Sequence, residues 1–392
     1  MSDETRPDWI GPRPNAAQIF AIMFVGVTGI MIAGLQPLLL GGLAQEGRLT
    51  AAELGQTATA ELLTMGLTAA LAGVLLRPAR LKIIAIAALI ALAVIDTLTP
   101  LARGEMVTLA RAAAGVPSGV LIWVTISMIA RSPTPERWSG AYLTVQTLAQ
   151  FLLATFLTAF IVPRYGADGG FIALALFCLV NVAATLLLPA EFAPLARQES
   201  GGRLPNARGW AALAVSFLYI AFTIGVWVYA EPLSRQAGHG SAIAGQAVSL
   251  SLACQVVGGF AATALAGRIN WLAALLVCAL VNLALFAGFA ALPGPAVFLA
   301  LAGAFGFVWL FASPFLVPMT IEADPTRRAA VLMGGVQLVG GSFGPLFASF
   351  FVTDADARGA LAFGAASLVL AMGIVLALHQ TRARGAAVEA AS

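Results

Sequence analysis

Shifting residue n onto n+191 lays one half of this chain on the other without a gap. Arg77 falls on Arg268, Gly115 on Gly306, Arg137 on Arg328, and Val145-Gln146 on Val336-Gln337. Phe156 and Phe160 fall on Phe347 and Phe351, Asn15 on Asn206 and Gly34 on Gly225. The identities are sparse, but they share one offset. A tandem duplication allows only folds in which two like units pack together.

Each unit consists almost wholly of apolar runs. Hydrophobic residues make up 60% of the 392, charged residues 10%, and the mean hydropathy is +0.93. Soluble domains carry about 25% charge, so the chain reads as an all-α membrane protein. A crossing helix needs about 20 apolar residues. Glycine, proline and charge clusters divide the chain into twelve such runs. They are 15–40, 52–76, 81–101, 105–130, 138–163, 168–189, 209–233, 243–266, 271–292, 295–320, 328–353 and 358–380. Six fall in each repeat, which predicts bundles at 15–189 and 209–380. A polar linker, 190–208, joins them, with tails at 1–14 and 381–392.

Orientation follows from where Lys and Arg lie. With the N-terminus in the cytoplasm, fifteen of the 21 lie inside, five outside, and Arg111 within a span. Both termini are therefore expected in the cytoplasm, and no cleaved signal peptide is recognisable. For a bacterial cell this is a multi-pass plasma (inner) membrane protein.

Several function classes drop out. The net charge of +3 is small and scattered, giving no basis for nucleic-acid binding. Cys178, Cys254 and Cys278 sit in apolar runs, and His239 and His379 are far apart, so neither disulfide nor metal is expected. No nucleophile–base pair or phosphate-cradling loop appears, so neither an enzyme nor a cofactor is expected.

Twelve helices in two parallel repeats with a polar central linker resemble the major facilitator superfamily. Local motifs add to the resemblance. Helix 4 has Arg111-x-x-x-Gly115-x-x-x-Gly119, similar to a pattern that family members, proton antiporters especially, carry there. Helix 11 has Gly340-Gly-Ser-Phe-Gly344-Pro345, similar to the family's GxxxGP. That motif marks antiporters in helix 5, where this chain has Ala154 opposite Pro345. The helix 2–3 loop keeps the family's glycine and basic cluster in Gly73, Arg77, Arg80 and Lys82. Arg77 stands where members have an aspartate that latches the halves. The resemblance implies two six-helix bundles and alternating access. Helices 1, 4, 7 and 10 would line the cavity, and helices 2, 5, 8 and 11 the interface between halves.

Ionisable groups within the bilayer are costly and usually face a cavity or a partner. Glu61 and Arg111 lie about 10–14 Å below the outer face, at equal depth by helical rise. The repeat gives them Leu252 and Ala302 as counterparts, so the fold does not demand charge there. As a functional pair, Glu61 carries a proton while Arg111 tunes it or receives an anionic group. As a structural pair they fix the packing of two helices. Asp96, Glu322 and Asp324 read as solvated ends or loop partners. Glu231, before Pro232 on helix 7, is a candidate outer gate. The resemblance puts Gln36, Trp123, Trp227 and Trp309 on cavity helices, as candidate substrate contacts. It puts Gln146 and Gln337 on interface helices, as candidate gating groups.

The reading is a secondary active transporter of a small organic molecule, amphiphilic and aromatic or an organic anion. Its partners would be that substrate, the lipid bilayer and protons, and it would act as a monomer. The alternative is a non-transporting membrane sensor or scaffold that kept the fold.

Overall fold

The computed structural model describes residues 9–194, 204–265 and 268–391. Arg6 and the start of the N-terminal tail, and Arg197 and Arg203 of the linker, lie outside the described residues. The described chain is helical, without a strand beyond one isolated bridge between Ala79 and Glu191.

Twelve long helices follow in order. They are α1 (Ala16–Gln45), α2 (Ala51–Leu75), α3 (Leu81–Leu98), α4 (Glu105–Ile129), α5 (Pro135–Phe156) and α6 (Val162–Thr185). After the linker come α7 (Ala207–Val228), α8 (Ser241–Leu265), α9 (Trp271–Ala290), α10 (Pro295–Ala312), α11 (Arg328–Ser349) and α12 (Gly359–Ala391). Ten segments are long and apolar enough to cross a membrane. One of them, Arg137–Thr185, is 49 residues long and holds both α5 and α6. Its break is Gly166, at φ 60° and ψ −158°, where Glu46 Oε1 accepts the freed amide of Ala167 at 3.0 Å.

The helices follow the expected runs, with four differences. Arg328–Ser349, expected to cross at 328–353, is not among the ten segments long and apolar enough to do so. Beyond Val228 the chain turns at Tyr229 into a short helix, Ala230–Gln236, so Glu231 and Pro232 lie on a separate element. After α10 a tight turn, Ser313–Phe315, leads into Leu316–Ala323. Pro314 and Pro318 lack the amides an unbroken helix would need. Finally, α12 continues to Ala391, past the expected end at 380.

The duplication survives in the packing. Asn15 Oδ1 accepts the Gln18 amide at 2.9 Å, and its counterpart Asn206 accepts the Gly209 amide at 2.7 Å. Each caps the first helix of its half by satisfying an orphan N–H. Gly115 on α4 lets that helix rest on the Glu61 carbonyl of α2. Its counterpart Gly306 on α10 rests on the Ser251 carbonyl of α8. A Cβ at either position would collide with backbone, which neither helix can move aside.

The halves meet along α2 against α11 and α5 against α8, with α1 touching α7, α8 and the short helix. Among the described residues, the hydrogen bonds between halves run from mid-bundle to the face opposite the termini, here called the far face. Trp227 Nε1 donates to Ala33 O at 3.2 Å and Tyr229 Oη to Ala51 O at 2.9 Å. Ala51 N donates to Asp354 Oδ1 at 2.7 Å, and Arg235 Nη1 to Ala44 O at 3.4 Å. The far face is therefore the closed end.

Candidate functional site

Helices α2 and α4 are fixed in register by three polar contacts. Thr57 Oγ1 and Thr108 Oγ1 share a hydrogen bond of 2.6 Å, and Thr64 Oγ1 donates to Ala112 O at 2.8 Å. Between these two anchors, Glu61 meets Arg111. Arg111 Nη2 donates to Glu61 Oε1, and Nη1 donates to Asp96 Oδ1 at 2.6 Å and to Thr99 Oγ1 at 3.4 Å. The guanidinium carbon sits 5.1 Å from the centre of the Phe171 ring on α6, within cation–π range. Glu61, Asp96 and Arg111 are 0%, 2% and 1% exposed.

Asp96 is not the solvated helix end expected from the sequence. It lies in the last turn of α3, buried, and faces the same guanidinium as Glu61. The available signal was depth, because Asp96 precedes the α3–α4 loop by about as much as Arg111 follows it. Phe171 and Thr99 carried no such signal.

The triad holds one cation against two carboxylates. It also holds unmet hydrogen-bond capacity. Glu61 Oε2 and Arg111 Nε have no partner. Gln36 on α1 reaches the Glu61 carboxyl. Its side chain is 0% exposed, yet neither end of its amide has a partner in ideal hydrogen-bond geometry. Buried polar groups are nearly always bonded, so such a cluster calls for an explanation. A cavity of about 10 Å³, the size of one water, adjoins the triad between Thr28, Asp96, Arg111, Ser118 and Cys178.

The other candidates form two groups. Trp227 and Trp309 meet edge to face with ring centres 5.8 Å apart, and Phe305 lies 6.4 Å from Trp309. Trp227 reaches across to Ala33 O, one helical turn before Gln36, so the aromatic pair of the second half adjoins the Gln36 turn of the first. Trp123 does not join them. It is buried in α4 with its ring beside Gly73, toward the other end of α2. Gln146 on α5 and Gln337 on α11 are half-buried on the two helix pairs that join the halves.

Glu231 lies at the far-face contact between halves, 4% exposed, with Oε2 unpartnered. Gly41 of α1 passes directly over it, and a Cβ on Gly41 would come within 2.5 Å of Glu231 Cβ. Asp324 is buried at the start of α11, where Oδ2 accepts the Ala329 amide at 2.9 Å. Glu322 accepts from Trp271 Nε1 at 3.0 Å.

The loop that carries Arg77 in place of the latch aspartate makes its contacts on the side of the first half. The α2–α3 loop pairs by backbone with the chain leaving α6, through Phe192 N to Pro78 O at 2.8 Å and Leu81 N to Ala190 O at 3.0 Å. Arg131 covers Phe192 at 5.4 Å and donates to Ala193 O at 2.7 Å. These contacts tie the first half to itself.

No family model matches the chain, and no curated protein does. Solved structures do match over nearly full length. A bacterial homologue of the human lysosomal transporter Spinster, inward-facing and unoccupied, superposes with a TM-score of 0.68 at 14% identity, over 97% of this chain and 98% of that one. A variant of the nucleoside transporter NupG gives 0.70 at 14%, over 92% and 99%. The partially occluded inward-open xylose transporter XylE from E. coli gives 0.66 at 15%, over 91% and 97%. With twelve helices in two parallel six-helix repeats, the chain has the fold of the major facilitator superfamily.

Proposed function

We propose that the protein is a proton-coupled secondary transporter of a small amphiphilic, aromatic organic molecule, working by alternating access. The bundles at 15–189 and 209–380 rock about the α2–α11 and α5–α8 contacts, joined by the 190–208 linker. The distribution of Lys and Arg supports both termini in the cytoplasm, with the protein resident in a plasma (inner) membrane. The far face is then the outside, and a closed far face corresponds to an inward-facing state. The similar solved structures are transporters, two of them in inward-facing or inward-open states, which fits this reading.

One observation carries the proton coupling: two carboxylates bury themselves on a single guanidinium. Burying ions is expensive, and an uncompensated charge in a low-dielectric interior is the worst case. One proton on the triad brings it to neutrality. Glu61 Oε2 is the free carboxylate oxygen, and Gln36, whose amide has no other partner, can turn its carbonyl to accept the proton's hydrogen bond. The second half makes the same helix crossing with Leu252, Ala287 and Ala302 at the related positions. Packing alone therefore does not require the charges. Trp227 and Trp309 supply the apolar surface for an aromatic substrate, while Glu231, Gln146 and Gln337 lie on the contacts that open and close.

The test is flux in proteoliposomes under an imposed pH gradient, across a panel of aromatic amphiphiles. Gradient-driven accumulation of one class, lost in Glu61→Gln while exchange without a gradient persists, is the expected result. Accumulation driven equally well in Glu61→Gln would remove the triad from the coupling. The absence of any flux would favour a sensor or scaffold.

A further inference from the structure

We infer that the substrate's polar end is a cationic ammonium rather than an anion, held by Gln36 and Glu61. This inference rests on the transport reading and narrows its substrate class. Arg111 is the one basic group among the candidate site residues, and it is already spent. Its Nη1 serves Asp96 and Thr99, its Nη2 serves Glu61, and Phe171 covers a face. An anion arriving there would have to displace a carboxylate from a pocket that already holds more negative than positive charge.

The unmet groups point the other way. When the triad proton leaves, Glu61 Oε2 becomes an open carboxylate oxygen. The Gln36 amide can turn one N–H toward it, which leaves the amide oxygen as a second acceptor. Two acceptors beside a net negative charge make a site for N–H donors that bring positive charge. An ammonium restores the neutrality that the proton gave, so the two compete for one place. The rest of the molecule has a surface to meet. Trp227 bonds one turn from Gln36, with Trp309 and Phe305 behind it. Aromatic faces favour both an aromatic body and a nearby cation. The half that supplies these rings has no counterpart of the triad, so charge recognition comes from the first half and apolar contact from the second.

Three probes of one shape separate the possibilities: 2-(1-naphthyl)ethylammonium, 1-naphthylacetate and neutral 2-(1-naphthyl)ethanol. Their binding to the full-length protein in detergent, at about pH 7 where amine and acid are both ionised, is read by thermal shift and tryptophan fluorescence. The ammonium should bind at least about tenfold tighter than the acetate, with the alcohol between them. Gln36→Leu and Glu61→Gln should each erase most of that preference. The wild-type comparison stands even if one variant fails to fold, and Gln36→Leu removes no charge.

Tighter binding of the acetate overturns the inference and makes Arg111 the binding group. Equal affinity for all three, or binding of none, overturns it as well. A preference for the ammonium that survives in both variants overturns the placement at Gln36 and Glu61. None of these readings depends on flux. Binding without gradient-driven transport would sink the transport reading alone.

Discussion

Tyr229 of the second half donates its phenolic hydroxyl to the carbonyl of Ala51, in the first turn of α2, at 2.9 Å. Asp354 accepts the amide of the same Ala51 at 2.7 Å, so both polar groups of one peptide position are held from across the interface. The ring of Tyr229 is fully buried, and its hydroxyl lies against Gly55, where a Cβ would strike it and the Pro345 carbonyl. A gate built on one residue's backbone can be weakened without touching the interior of either bundle.

Removing that hydroxyl should therefore shift the balance of states. Tyr229→Phe gives up one hydrogen bond, about 1 kcal/mol, which is roughly a fivefold change in population. Distances between spin labels placed across the far face should show more of the outward-open state. An unchanged distribution would mean that the contact does not hold the gate.

The triad's stability has an asymmetric expectation. Arg111→Ala leaves two carboxylates buried without a partner and should cost about 3–5 kcal/mol, seen as a large fall in Tm or loss of folded protein. Replacing all three at once, as Glu61→Leu with Asp96→Ala and Arg111→Ala, copies the second half's Leu252, Ala287 and Ala302. That variant should be about as stable as wild type, because exchanging buried ions for apolar groups is often neutral or stabilising. It should be inert in gradient-driven flux. A triple variant as unstable as Arg111→Ala would make the charges structural.

Close approach of helices at the two related glycines predicts matched damage. Gly115→Ala and Gly306→Ala each push a methyl against the backbone of the facing helix. Each should lower stability by about 1–3 kcal/mol, the usual cost of overpacking. Thermal unfolding of the two variants side by side checks this. Tolerance at one position but not the other would mean that the halves do not share the crossing.

Acid sensitivity of the far-face loop should lie well below physiological pH. Asp356 is held below the usual carboxylate range, first by the Arg358 side chain, then by Gln236 and the Arg358 amide. A depressed carboxyl contributes stability above its unfolded value, near pH 4, and loses it as pH falls through the folded value. Between about pH 5 and 8 Asp356 therefore stays ionised. Asp356→Asn should leave the pH profile of flux in that range unchanged. A shifted profile would bring the loop into the proton pathway.

What the sequence disclosed depended on periodicity and depth. Twelve apolar runs and one offset were enough for the architecture, because a bilayer leaves the backbone almost no alternative to helices. Glu61 and Arg111 were readable as a pair because both are charged and lie at one depth on adjacent helices. Asp96 was misread because a carboxylate near a helix end usually reaches water. Only the angle of α3 against α4 turns it inward. The contact of Gln36 with Glu61 depends on the rotation of α1, which a helix apolar nearly all round does not encode. The break at Tyr229 was hidden inside an unbroken apolar run, although Pro232 lies three residues beyond it.

On the proposed reading the buried triad holds one exchangeable proton. Infrared difference spectra of the purified protein, taken between about pH 5 and pH 9, read the carbonyl stretch of a protonated carboxylic acid directly and need no substrate. One such band is expected, absent in Glu61→Gln and shifted by Gln36→Leu, which removes the amide that neighbours the carboxyl. No triad band at any pH, or one indifferent to both substitutions, would contradict it and leave Glu61, Asp96 and Arg111 as a fixed ionic joint between α2, α3 and α4.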